Sequence, residues 1–307
     1  MRVTLDRLPL SLIIPVYGRP QLLERALGSL LEQSVPPAEV IVVDDGSPDP
    51  TRVSAPVASR LNLRIVRHER NLGAAAARNT GMRAAEKEWI SFLDSDDVLL
   101  PDSLTERWTL VQQDQRERAD PTIVYGCGWI ERRENGDLRG IRWPRPSRSA
   151  LDFASGCWFS PGSCVILNRD AALAAAGEQD VTLRRFEDYD WYLSLAQRGW
   201  SLASLPVCGV VIDRHRSQLP ATVEQTAQSL IAKWQRLLTE PAFLDRIRAY
   251  MALEVAAAYY FRGFRIAGAL HLARSMAAVP RLSLQLSPAW DIERVTDLPD
   301  RVLRRRL

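Results

Sequence analysis

The stretch FLDSDD, Phe92 to Asp97, crowds three aspartates at the end of a short apolar run. Carboxylates gathered at a strand end repel one another, and a fold gains nothing from holding them there without a counter-charge. Hard divalent cations such as Mg²⁺ or Mn²⁺ are the usual counter-charge, because they prefer carboxylate oxygen. Asp94 and Asp96, two positions apart, both reach one ion if the chain turns there. Taken alone, the cluster reads equally as a helix N-cap before Val98–Leu100. A second acidic pair in a matching place tips the balance toward the ion. EVIVVDDGS, Glu39 to Ser47, is another apolar run, ending in Asp44–Asp45 and a Gly-Ser turn.

Further polar groups stand later in the chain. EDYD (Glu187, Asp188, Asp190) opens a helix after Arg184–Arg185, where carboxylates ordinarily complement the helix dipole. His215 lies in DRHRS, Asp213 to Ser217, and by itself reads as a surface histidine in a basic loop, although imidazole is able to bind a metal. His68 and His271 belong to no motif and read as structural. In SGCWFSPGSCVI, Ser155 to Ile166, the residues Trp158, Phe159 and Gly162 suit a sugar-stacking platform or an aromatic cluster. Trp143 and Trp191 invite the same reading.

Positioning these groups falls first to strands alternating with helices. LSLIIPV (Leu10–Val16) is a continuous apolar run, as in a parallel strand covered on both faces. A helix over Gln21–Ser34 follows, then strand EVIVVD, a short helix near Arg52–Leu61, strand Leu63–His68, a helix over Ala74–Lys87 and strand WISFLD. This alternation predicts a parallel, doubly wound sheet, whose ligands sit beyond the strands' carboxyl ends. After Pro121 the sequence predicts a hairpin turning at Asn135-Gly136, a strand over Gly162–Asn168, and helices over Arg169–Ala176 and Asp188–Gln197. Two strands, Trp200–Leu205 and Val207–Asp213, close the unit. Beyond Pro220 the pattern is helical: Thr222–Leu238, Phe243–Phe261 and Ile266–Ala278. Leu253, Ala256, Ala257 and Tyr260 fall on one stripe of the second helix and read as core.

The chain has 307 residues and a net charge of +3. That charge is uneven: from Ala221 onward there are 13 Lys/Arg against 8 Asp/Glu. No nucleic-acid partner is expected. The N-terminus lacks the apolar run of a signal peptide, and no segment reaches the roughly 18 apolar residues of a spanning helix. The four cysteines show no paired zinc spacing, which fits reduced thiols in a cytoplasmic protein.

Taken in order, SLIIPVYGRP, VVDDGSPD, NLGAAAARNTGMRAA with FLDSDD, and RRFEDYDWYLSLAQRGW resemble the family 2 glycosyltransferases, over about residues 10 to 217. That family comprises inverting enzymes of the GT-A fold that use nucleotide sugars. The resemblance implies a GT-A, Rossmann-like, mostly parallel sheet flanked by helices over residues 1–219, with a helical C-terminal extension over 220–307. It implies a nucleotide-diphosphate sugar donor, UDP favoured, and a glycan or lipid-linked acceptor. It places Pro15, Tyr17, Asp45, Arg78 and Ser95 at the nucleotide, with Gly18 where the family often carries Asn and Arg19 beside it. Asp96, Asp94 and His215 become ligands of Mn²⁺ or Mg²⁺, and Asp188 the general base. Trp158, Gly162 and Glu187 fall on the acceptor side, with Glu187 and Asp190 orienting or capping.

Other classes fit less well. A receiver-type module has no use for the ED helix or His215. A dinucleotide-dependent oxidoreductase needs GxGxxG at the first strand's end, where Leu10–Pro20 has a single glycine. A sugar nucleotidyltransferase needs a glycine- and cation-rich phosphate loop there. A catalytically inert sugar- or nucleotide-binding relative remains an alternative, separable by donor hydrolysis. For the C-terminal extension, aromatic and aliphatic residues (Tyr259, Tyr260, Phe261, Phe264, Ile266, Leu270, Leu272) interleave with Arg262, Arg265 and Arg274. Two readings are open. One is a peripheral contact with the inner membrane face; the other is packing onto the catalytic domain or a second subunit.

Overall fold

A computed structural model describes residues 6–132, 136–156, 162–213, 219–237, 240–280 and 292–293. The first half runs β1 (Leu8–Val16), α1 (Pro20–Leu31), β2 (Pro37–Asp44), α2 (Ala55–Leu61), β3 (Leu63–Arg67), α3 (Ala74–Ala84) and β4 (Trp89–Phe92). The middle runs β5 (Val98–Leu99), α4 (Ser103–Arg118), β6 (Ile123–Arg132), β7 (Leu138–Arg142) and α5 (Ala150–Ala154). A 3₁₀ turn (Gly162–Cys164), β8 (Val165–Asn168) and α6 (Arg169–Ala176) follow. Then come α7 (Glu187–Ala196), β9 (Ser201–Asp213), α8 (Pro220–Leu237), α9 (Pro241–Phe261), α10 (Arg265–Ala278) and the two-residue β10 (Ile292–Glu293).

One sheet carries the site, in the order β3-β2-β1-β4-β8-β6-β7-β10, with β9 pairing β6 and β5. Strands β3, β2, β1 and β4 are mutually parallel, which gives the doubly wound half expected from the alternating pattern. From β8 outward the neighbours β4–β8, β8–β6 and β6–β7 are antiparallel, so the sheet as a whole is mixed. Period-two alternation sends Leu10, Leu12 and Ile14 of β1 into one core and Ile13 into the other. Both faces are therefore covered, and the strand reads as unbroken apolar sequence.

Helix α3 lies hard against β1. A Cβ on Gly81 would stand 2.2 Å from Ile13 Cγ2, so glycine sets how closely the alanine-rich helix approaches the sheet. Helices α8 and α9 share the core on the α7 face, through Val223, Leu230, Trp234, Phe243, Ile247 and Met251.

Several expectations are corrected. Val98–Leu99 is a strand paired with Val211 and Val210, so Asp94–Asp97 does not cap a helix there. Asp97 N donates to Asp94 O at 2.9 Å, and the acidic residues form a turn. Helix α4 carried no prediction. Its buried stripe is narrow (Leu104, Arg107, Trp108, Val111) and the remaining surface is polar. The two strands expected over 200–213 are one, β9, whose register to β6 shifts between Leu205 and Val210. Pro206 has no N–H to give the ladder, and the strand absorbs it as an irregularity instead of ending. Tyr260 and Ala257 face outward on α9, not into the core.

Candidate active site

The carboxyl ends of β1, β2 and β4 and the start of α3 enclose a cleft of about 310 Å³. It is lined by Pro15 and Tyr17 after β1, Asp45 after β2, Arg78 on α3, and Asp94, Ser95 and Asp96 after β4. The seven residues expected at the nucleotide and the DSD turn thus share one cavity. Arg19, Asn71 and Gly73 also line it.

The β2 end is held from within. Asp44 accepts from Ser47 N and Thr51 N, each at 2.9 Å, and from Arg67. Burial alone would raise its pKa, but these donors win and hold it down at about 2. Asp45 accepts Leu72 N at 2.9 Å and Gly73 N at 2.8 Å, and pairs with His68 Nδ1 at 2.8 Å. The other His68 ring nitrogen meets Thr80 Oγ1 at 2.9 Å, so His68 is structural, as expected. Asp45 thereby ties the Leu72–Gly73 loop to the cleft wall, and its two oxygens keep capacity for about one further bond. The turn itself needs glycine: Gly46 has φ +71°, and a Cβ there would lie 2.4 Å from the Arg70 carbonyl carbon.

The β4 end is held by side chains instead. Arg19 Nη1 pairs with Asp96 Oδ2 at 2.6 Å, and Arg78 Nη2 with Asp94 Oδ1 at 2.9 Å. Arg25 Nη2 donates to the Asp96 carbonyl at 2.5 Å and also pairs with Asp213, which tethers the end of β9 to the acidic turn. Ser163 Oγ accepts Asp94 N at 2.9 Å and donates to Asp97. Burial, with Asp94 and Asp96 nearby, pushes the Asp97 carboxyl well up, and the Ser163 bond opposes this only in part.

Arg78 also reaches the helix expected to hold the base, through Nη1 to Glu187 Oε1 at 2.9 Å. It is almost fully buried. Burial would lower its pKa, but Asp94, Glu187 and Asp188 outweigh it, so the guanidinium stays charged. Asp188, in the first turn of α7, is pushed up to about 6 by burial and then by Glu187, with Arg78 opposing. Asp190 points the other way, to Lys233 Nζ at 2.7 Å and Trp234 Nε1 at 2.9 Å, and pins α7 to α8. Gly162 is buried beside Arg78: a Cβ there would stand 3.8 Å from Nη2.

Trp191 is buried and donates to Gly177 O at 2.9 Å, so it is core and no sugar platform. Trp143 packs over Gly128, away from the cleft. Trp158, Phe159 and His215 lie outside the described residues. Asp97, Asn71 and Ser163 stand inside the quoted motifs but were given no role there, and Arg25 lies outside them; only the structure shows what each one holds.

The donor set suits a hard cation. Asp94 and Asp96 offer carboxylate oxygen from a single turn; Arg19, on Asp96, is half-exposed and displaceable by an ion, whereas Arg78 is buried and takes only one Asp94 oxygen, which leaves the other for a cation. Among the described residues no third His, Cys, Asp or Glu joins them.

Residues 11–172 match Glycosyl transferase family 2. An uncharacterized glycosyltransferase of Haemophilus influenzae is 29% identical over 190 residues, which is 61% of this chain and 62% of that protein. The chain thus spans less than two thirds of that relative's length. Among solved structures, residues 1–349 of S. aureus TarS superpose with a TM-score of 0.59 at 21% identity, covering 90% of this chain and 82% of that one. TarS has also been solved with UDP-GlcNAc. Mannosyltransferase PcManGT from Pyrobaculum calidifontis, in complex with GDP-Man and Mn²⁺, gives 0.57 at 23% identity, covering 92% and 80%. The shared architecture is the GT-A fold.

Proposed function

The chain belongs to glycosyl transferase family 2, and we propose that it moves a sugar, with inversion, from a nucleotide-diphosphate donor to a hydroxyl of a glycan or lipid-linked acceptor. The observation that carries this reading is Arg78, one buried cation bonded to both Asp94 and Glu187. It ties the acidic turn, where a donor diphosphate would sit, to the helix that bears a carboxylate of raised pKa.

Pro15, Tyr17 and Asp45 wall the nucleotide end, and Ser95 lies between the two acidic ligands. Asp94 and Asp96 would hold Mn²⁺ or Mg²⁺, with His215 the expected third ligand. Such an ion, when bound, offsets negative charge on the departing diphosphate. Asp188 takes the proton of the acceptor hydroxyl while that oxygen attacks the anomeric carbon from the face opposite the nucleotide. One Asp188 oxygen accepts Tyr189 N at 2.7 Å, which orients the carboxylate and leaves the other for the proton. A value of about 6 keeps it ionised at neutral pH yet basic enough to accept. Gly162 and Glu187 border this side, and Glu187 raises the basicity of its neighbour. Trp158 is retained as an acceptor-side candidate.

Asp188→Asn is nearly isosteric and tests the assignment. Donor affinity by calorimetry should survive, while turnover falls by about 10²–10⁴-fold. The wild-type rate should itself drop tenfold per pH unit below about 6, as Asp188 protonates. Wild-type turnover in Asp188→Asn would move the base to Glu187. UDP is favoured over GDP and dTDP, and thermal shifts with each diphosphate and Mn²⁺ rank them.

A further inference from the structure

Helix α10 is built inside out. Its buried residues are Gly268 and Ser275, and a Cβ on Gly268 would lie 3.1 Å from Ala256 O, so α10 meets α9 through small residues. Its large apolar residues point to solvent. Ile266 is 80% exposed and Leu270 60%, and they adjoin Tyr260, Phe261 and Phe264 from the end of α9 and its turn, each 59–64% exposed. A water-soluble helix normally does the reverse. Tyr259 does not belong to this face: its ring stacks on His271 and its hydroxyl meets Glu224 at 3.0 Å.

Within the chain segment that forms the patch, the charge has one sign. Arg262, Arg265 and Arg274 are exposed among these residues, and no Asp or Glu occurs between Glu254 and Asp291. We propose that the α9–α10 face docks on an anionic lipid bilayer, with the aromatic and aliphatic side chains in the headgroup region and the arginines on lipid phosphates. A symmetric contact with a second copy fits less well, because it would bring Arg265 and Arg274 of two copies together, while the carboxylate beside this face, Glu224, is engaged by Tyr259 and His271. No helix among the described residues is long and apolar enough to span a membrane, so the contact is peripheral.

The helix that carries part of this face also packs beside the start of α7. Glu254 of α9 pairs with Arg185 at 3.2 Å, and the Tyr250 ring lies 5.0 Å from that of Tyr189, next to Asp188. Tyr260 is six residues beyond Glu254, about 9 Å along the helix. That the bilayer also carries the acceptor rests on the proposed function; the docking does not.

The test is co-sedimentation of the full chain with vesicles of phosphatidylcholine alone or with 30% phosphatidylglycerol (an assay composition of about that value), read without any turnover assay. Binding should appear only with the anionic vesicles and weaken as salt shortens the screening length. Arg265→Gln with Arg274→Gln should reduce it on the order of 30-fold, at roughly a tenfold loss or less per arginine. Ile266→Ser with Leu270→Ser should also lose binding while thermal stability stays at the wild-type value. Equal or absent binding to both vesicles overturns the proposal. So does a fall in stability in the serine variant, which would show that the face is covered within the chain. A dimer in sedimentation that the serine variant dissociates overturns it in favour of a second copy.

Discussion

At the end of β2, Asp44 and Asp45 are held chiefly by backbone amides, of the following turn for Asp44 and of the Leu72–Gly73 loop for Asp45; at the end of β4, Asp94 and Asp96 are held by arginine side chains. The amides cannot leave without unmaking the loop. The half-exposed Arg19 can rotate away, so Asp96 can be handed to another cation at the cost of one surface ion pair, while Arg78 stays buried on one oxygen of Asp94. The β2 end is architecture that shapes the cleft, and the β4 end is exchangeable charge. Two acidic pairs that look alike in sequence differ in which donors answer them.

The largest effect separates the two ends by stability. Asp44→Ala strands buried amides and the Arg67 charge, and should cost about 3–5 kcal/mol in denaturant unfolding. Asp96→Ala loses one ion pair to a half-exposed arginine and should cost no more than about 1 kcal/mol. The same Asp96 variant should lose the Mn²⁺-dependent part of its nucleotide affinity in calorimetry. Equal destabilisation by both variants would break the comparison.

Acid sharpens it next. Asp44 is held at about 2 against an ordinary 3.8, so its contribution is present above 3.8 and lost as pH falls through about 2. The shift corresponds to about 2 kcal/mol. Asp44→Asn should remove that slope from stability measured between pH 5 and pH 2 (a range of about these values). An unchanged acid limb would mean that Asp44 is not distinguished from the β4 acids.

The smallest effect probes exchange itself. Arg19 competes with any cation for Asp96, so Arg19→Ala should tighten Mn²⁺ binding several-fold, roughly the worth of one surface ion pair. Weaker Mn²⁺ binding in that variant would mean that Arg19 supports the ion site, and the arginines would then not be placeholders.

Local pattern carried much of this molecule. Strands β1 and β2 are legible because a strand buried on both faces must be apolar at every position, and the acidic ends mark where such a run leaves the core. Helix α6 and the three C-terminal helices fall within about two residues of their expected bounds, since a 3.6-residue period survives in sequence. Helix α4 was invisible because its stripe is only a few residues wide, and β9 looked broken because a bulge accommodates Pro206. Trp191 and Tyr260 show the limit for side chains. Both are aromatic residues on helices, yet one is buried and the other 61% exposed, according to what the neighbouring elements happen to cover. The pairing of Arg78 with Glu187 spans 109 positions. No local period encodes a contact of that length; it exists because the fold brings the start of α7 against Arg78 at the cleft wall, where a buried cation is stable only with carboxylates on either side.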